Sequence, residues 1–202
     1  MKKAIALLGF LLGTTGWAGD RDLTICMVPT AELEDAQTLS QAESYTTRIY
    51  GSIKVTLHWK SRCGQVELEA PGTRLMPNLT TLGIKFAATA PAAVEPGAFA
   101  SAQPFEATGV RITVYRDRLA SPAHDHDRAV LLGHVLAHEI GHILLGHNGH
   151  APAGLMQPSW SRGEQALMRY RLLSFTASEG DNIRGRLDGR SERLAALNQS
   201  RQ

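Results

Sequence analysis

Residues 138–156 read HEIGHILLGHNGHAPAGLM, and where its histidines can meet decides how this part of the chain must fold. His138 and His142 are four residues apart, so on a helix they share one face, a turn from each other. The stretch that contains them, AVLLGHVLAHEIGHILL from Ala129 to Leu145, has no proline and is apolar nearly all round. That composition predicts a helix inside the fold rather than on its surface. Gly146 suits the left-handed position that stops such a helix. Gly133 and Gly141 each cost up to about 1 kcal/mol of helix propensity relative to alanine, and the simplest gain from such glycines is close approach of another backbone.

Two imidazoles at this spacing can converge on one Zn²⁺ at about 2.0–2.1 Å. Glu139 lies a step around the helix from His138, within reach of a water at the metal without replacing it as a ligand. HExxH is the arrangement zinc peptidases use, and an ionised Glu139 in so apolar a helix calls for a polar cavity, a metal or a partner. A third ligand must come from beyond the helix. His134 extends the four-residue series backwards, but the rise of about 12 Å from His134 to His142 far exceeds a zinc coordination sphere, so His134 reads as a neighbouring buried group. His147 follows the helix stop at once and has little chain with which to return. His150 has three more residues, among them Asn148 and Gly149, both tolerant of turns, and is favoured over His147.

At this point HEIGHILLGHNGHAPAGLM resembles the active-site signature of metzincin zinc peptidases, the matrixin-like branch above all. The family pattern is HExxHxxGxxH. Here Gly146 comes four residues after His142 rather than three, Asn148 occupies the strict third-ligand position, and the spacing is HExxHxxxGxxxH. HAPAGLM resembles the run that links the third histidine to the Met-turn, which implies His150 as ligand and Met156 as the turn methionine, an apolar support beneath the metal. The resemblance also implies an α/β (α+β) fold: a twisted mixed sheet with a backing helix, a buried active-site helix and a C-terminal helical region. Some metzincins use a tyrosine after the Met-turn to assist at the metal. Tyr170 is the only tyrosine after the motif, but no local pattern ties it to that role, and a packing or surface tyrosine is favoured.

Three neutral imidazoles would leave a zinc ion its charge and one open position, with Glu139 as general base. The activity implied is that of a secreted zinc-dependent endopeptidase acting on peptide or protein substrates. The alternatives are a hydrolase of cell-wall peptides or other amides, and a non-catalytic zinc-binding interaction protein. Glu139 beside a feasible third ligand argues for chemistry over binding alone.

The N-terminus, MKKAIALLGFLLGTTGWAG, has two lysines, an apolar run from Ala4 to Leu12 and small residues at Gly16 and Ala18. This order predicts a signal peptide over residues 1–18, a single zinc peptidase domain over 19–202, and a secreted or periplasmic location. No later apolar stretch is expected to span a bilayer or anchor the chain. Losing Lys2 and Lys3 brings the formal charge of +2 to zero, which gives no electrostatic reason to expect a nucleic-acid partner. Cys26 and Cys63, the only cysteines, read as one disulfide in an exported protein. AHDHD, from Ala123 to Asp127, offers His124, Asp125, His126 and Asp127 as possible ligands of a second ion, yet its spacing is unspecific and a solvated or helix-capping role is favoured.

Elsewhere, DLTICMV (22–28) predicts a strand. A helical pattern follows, with Thr30 able to cap it, and ends near Gly51. IKVTLHW (53–59) alternates as a second strand, so the unit reads as a crossover onto a parallel pair. VELEA (66–70), LGIKFAAT (82–89) and GVRITVYRDRL (109–119) supply further strand candidates, while the Ala- and Pro-rich stretch from Thr89 to Thr108 reads as a surface excursion. Thr176 and Glu179 stand at capping-box spacing before a last helix.

Overall fold

The computed structural model describes residues 21–31, 34–63, 81–104, 110–120 and 128–199. The expectations for the leader (1–18), the strand at 66–70 and the His124–Asp127 cluster lie outside them. The chain runs β1 (Asp22–Met27), α1 (Ala36–Ser52), β2 (Thr56–Lys60), β3 (Thr81–Ala87), β4 (Ala100–Ala102), β5 (Val110–Tyr115), α2 (Arg116–Leu119), α3 (Arg128–Leu145), α4 (Arg162–Leu167) and α5 (Ala177–Gln199). One five-stranded sheet has the order β2-β1-β3-β5-β4. β1 pairs in parallel with β2 and β3, β3 pairs in parallel with β5, and β4 runs antiparallel along β5 at the edge. This is a mixed sheet with flanking helices and a C-terminal helical region, as the sequence implied.

The parallel β1–β2 pair, with α1 between its strands, matches the expected crossover. Several boundaries differ. Asp35, not Thr30, caps α1, its carboxylate accepting the Gln37 and Thr38 N–H groups and standing below the usual carboxylate range because of them. The second strand begins at Thr56, since Lys54 takes a left-handed turn (φ 60°) after the helix. The excursion after Thr89 contains β4, whose three residues, ASA, carry too little pattern to announce a strand.

α3 is buried from Val130 to Leu145. By length and composition it could cross a membrane, contrary to the expectation that no later stretch could, but 94% of it lies inside the fold. It packs against α1, α5, β4 and β5. Gly133 explains how α1 comes so near: a Cβ there would lie 2.6 Å from Tyr45 Cβ and 2.9 Å from the Ala42 carbonyl oxygen. Two buried hydroxyls from α1 add to this contact. Thr46 Oγ1 lies 2.9 Å from Ala42 O and 3.0 Å from Gly133 O, and the Tyr50 hydroxyl donates to Ala137 O at 3.0 Å. Gly141, by contrast, makes room for side chains, those of Met156 and Phe175, rather than for a backbone.

Arginines tie the outer elements down. Arg21 grips Asp188 with two hydrogen bonds of 2.7 and 2.8 Å. On α5, Arg184, Arg186 and Arg190 donate to the carbonyls of Ile53, Leu145 and Asp22. Buried Glu34 receives Arg116 at 3.2 Å and Arg128 at 2.8 Å, joining the approach to α1 to the first residues of α2 and α3. Cys26, at the end of β1, and Cys63, just past β2, are at bonding distance with Cα atoms 5.9 Å apart. A loop of this length makes such a bridge worth about 3–4 kcal/mol on a chain-entropy basis.

Two of the helical glycines, Gly133 and Gly185, give opposite expectations. Alanine gains up to about 1 kcal/mol of propensity at either site, but at Gly133 it must displace backbone, at a cost of about 1–3 kcal/mol. At Gly185 it meets nothing within 4 Å. Urea unfolding is expected to show Gly133→Ala destabilised and Gly185→Ala unchanged or more stable; a stabilised Gly133→Ala would contradict the close α1–α3 contact.

Candidate metal centre

His138 and His142 project from one face of α3 near its C-terminal end, where Gly146 takes φ 70° and turns the chain back. His150 comes from the returning segment. One ring nitrogen from each of these three histidines lies within 4.8 Å of the other two, with ring centroids 4.6, 4.9 and 5.4 Å apart. His138 and His142 are buried and His150 is exposed, so the third ring stands at the solvent edge.

The hydrogen bonds settle which nitrogen of each helical imidazole is available. His138 Nδ1 lies 2.9 Å from Leu155 O, and His142 Nδ1 lies 3.1 Å from His147 O. A carbonyl only accepts, so both Nδ1 atoms carry the proton and both Nε2 atoms present lone pairs in the neutral ring. Those Nε2 atoms are 3.0 Å apart. Two lone pairs facing each other with no proton between them repel, and a shared cation relieves the repulsion. Burial opposes a proton in that role: it holds His138 and His142 down at about 4, in His138 against the pull of the Leu155 carbonyl, and in His142 with help from the neighbouring His138. His150 is lowered too, by partial burial and then by His147. For comparison, two nitrogens on a tetrahedral zinc lie about 3.3 Å apart. The donor set therefore fits a divalent metal ion, with outer-shell carbonyls orienting its ligands.

His147 contributes differently from the sequence expectation that kept it as second candidate. Its carbonyl holds His142, while its Nδ1 accepts the Gly149 N–H at 3.0 Å and shapes the turn. His134 is fully buried and stands apart from the three-histidine group: its Nδ1–H donates to Val130 O at 2.8 Å, its Nε2 accepts the Leu173 N–H at 3.1 Å, and burial lowers its pKa. Glu139 is buried beside the ligand pair, and desolvation pushes its carboxyl up to about 8.

After His150 the chain makes a small loop closed by the Ala151 N–H to Met156 O bond at 2.7 Å. Met156 is buried, and a Cβ on Gly141 would fall 2.7 Å from its Sδ, which places the methionine against the helix between the two histidine turns. Tyr170 is 79% exposed, with the Arg169 guanidinium 5.6 Å from its ring centroid. Sequence reasoning passed over Trp160, four residues after Met156, whose ring stands at 90° to His138 with centroids 5.5 Å apart. Its proximity to Met156 in the chain was the one available signal.

A buried helix carrying two imidazoles, a returning loop carrying a third, and a mixed sheet alongside bring together a three-histidine cluster of a kind that can coordinate a divalent metal ion. The fold is similar to that of archaemetzincin from Methanopyrus kandleri, known from a crystal structure at 1.5 Å resolution, with a TM-score of 0.51 over 83% of this chain and 96% of that one, at 17% sequence identity. No protein-family model matches the chain, and no curated protein matches it significantly.

Metal analysis after dialysis separates the two candidates for third ligand. His150→Ala is expected to retain far less of an added divalent metal ion than the parent chain, and His147→Ala, which leaves the carbonyl to His142 in place, to match the parent. The reverse pattern would transfer ligation to His147.

Proposed function

We propose that the chain is an exported zinc-dependent endopeptidase in which His138, His142 and His150 hold the metal and Glu139 is the general base. The observation that carries this reading is the convergence of three imidazoles, two with Nδ1 tied to carbonyls, beside a buried carboxyl one residue from a ligand. The fold shared with archaemetzincin supports it. The chemistry zinc supplies when bound is that of a Lewis acid with an open position, which acidifies water and polarises a carbonyl.

The remaining work falls to the chain. Leu155 O and His147 O keep both helical ligands in the Nδ1–H form, so neither ring must change tautomer to bind. The Glu139 carboxylate takes a proton from water as the oxygen adds to the peptide carbonyl, and returns it to the departing nitrogen as the C–N bond breaks. Burial alone favours the protonated acid, and a metal cation bound by the neighbouring neutral imidazoles would favour the carboxylate that this step requires. Met156, packed at Gly141, supports the helix under the ligand pair. The exported location rests on the leader that the sequence predicts over residues 1–18, and the Cys26–Cys63 pair at bonding distance is consistent with an oxidising compartment.

Cleavage profiling on a peptide mixture tests this. The zinc-loaded chain is expected to hydrolyse peptide bonds, to lose activity to a chelator, and to fall by at least about 10²-fold in Glu139→Gln with zinc still bound. Undiminished cleavage by Glu139→Gln would contradict the mechanism. Intact peptides with cell-wall fragments cut would move the substrate class, and zinc retention with every amide intact would leave a binding protein.

A further inference from the structure

We propose that His134 is a positioning residue for the metal centre, holding His138 in place through a chain of hydrogen bonds that leaves α3 and returns to it one turn later. This rests on the reading of His138 as a metal ligand. The chain begins on α3, where the His134 Nδ1–H donates to Val130 O at 2.8 Å, which fixes the ring and leaves Nε2 as the acceptor. Nε2 receives the Leu173 N–H at 3.1 Å. The next residue, Ser174, accepts the Leu155 N–H at 2.9 Å. Leu155, through its own carbonyl, takes the His138 Nδ1–H at 2.9 Å. His134 and His138 are thus the two ends of a hydrogen-bonded circuit closed by Leu173, Ser174 and Leu155.

Residues 172–176 belong to no helix or strand, so backbone groups there need partners from outside regular structure. A buried apolar side chain at 134 would deprive the Leu173 N–H of its acceptor and free the segment that sets the height of Leu155. Histidine fits because its two nitrogens, donor on one side and acceptor on the other, bridge helix carbonyl to loop amide. Gly154 is the other point of contact. It takes φ 84°, and a Cβ there would lie 2.8 Å from Ser174 O, so the loop carrying Leu155 presses on the same segment. The Trp160 ring stands near both histidines, perpendicular to His138 at 5.5 Å and steeply inclined to His134 at 6.4 Å, so a shift of either imidazole is felt by the other's neighbour.

The test uses the full chain, labelled with ¹⁵N at histidine and titrated with Zn²⁺ against a chromogenic chelator. In His134→Phe the Nδ1–H resonance of His138 is expected to move or to broaden by solvent exchange, while that of His142, held by His147 O, stays. Zinc affinity is expected to fall about tenfold, the scale of losing an outer-shell partner. In His134→Gln, whose amide oxygen can take the Leu173 N–H, affinity is expected to return to within about twofold of the parent chain. A folded His134→Phe chain with parental affinity or an unmoved His138 resonance overturns the proposal, as does a His134→Gln chain as weak as His134→Phe. Where His134→Phe fails to fold, Gly154→Ala is read instead: crowding Ser174 from the other side is expected to give the same selective His138 shift and loss of affinity, and unchanged values overturn the proposal. A parental chain that binds no zinc overturns the metal reading and the positioning role with it, and is told apart from a failure of the circuit itself by the His138 and His142 resonances, which are compared without metal.

Discussion

Two ring nitrogens of α3, His138 Nε2 and His142 Nε2, face each other at 3.0 Å as unprotonated acceptors, because each ring's proton sits on Nδ1 and is donated to a carbonyl on the far side. The rest of the structure is arranged around that constraint. A helix can bring two imidazoles together from positions four apart, but it cannot by itself fix which nitrogen carries the proton. That task falls to the chain that leaves α3 at Gly146 and comes back, since His147 and Leu155 supply the two accepting carbonyls. The same returning segment brings His150 to the pair, so orientation of the first two rings and delivery of the third are one structural event.

The event needs a rigid α3, and rigidity comes from close packing on both sides. Gly133 lets α1 approach to backbone contact, where the Tyr50 and Thr46 hydroxyls engage the carbonyls of Ala137 and Gly133. Gly141 admits Met156 and Phe175. A propensity loss of up to about 1 kcal/mol for each glycine is offset by burying the side chains that then fit. At the end of the helix, Arg186 donates to Leu145 O and lies against Gly146, so the C-terminal helix braces the turn on which the third histidine depends.

Much of this was legible in the sequence because it rests on local spacing. The four-residue step from His138 to His142, the stop at Gly146, the longer return path to His150 and the capping pair Thr176–Glu179 are each decided within a few residues. The parallel β1–β2 pair followed from a strand, helix and strand of ordinary length. What escaped depends on distant partners. The short strand β4 has meaning only beside β5. The arginines of α5 look like a solvated charged face until the carbonyls of Asp22, Ile53 and Leu145 are seen to receive them. His134 could be excluded as a ligand by helix rise, yet its bond to Leu173, thirty-nine residues away, has no trace in spacing. His147 was legible as a neighbour of the site, but not as a residue that acts through its carbonyl.

The central claim is that three imidazoles, and not two with assorted oxygens, close around one metal ion. X-ray absorption at the zinc edge of the loaded full-length chain tests it most directly. Imidazole ring scattering from three nitrogens at about 2.0–2.1 Å, with one oxygen position that lacks it in a four-coordinate shell, is the expected result. A six-coordinate oxygen shell, or a site in which imidazole scattering is absent or accounts for fewer than three rings, would contradict the account.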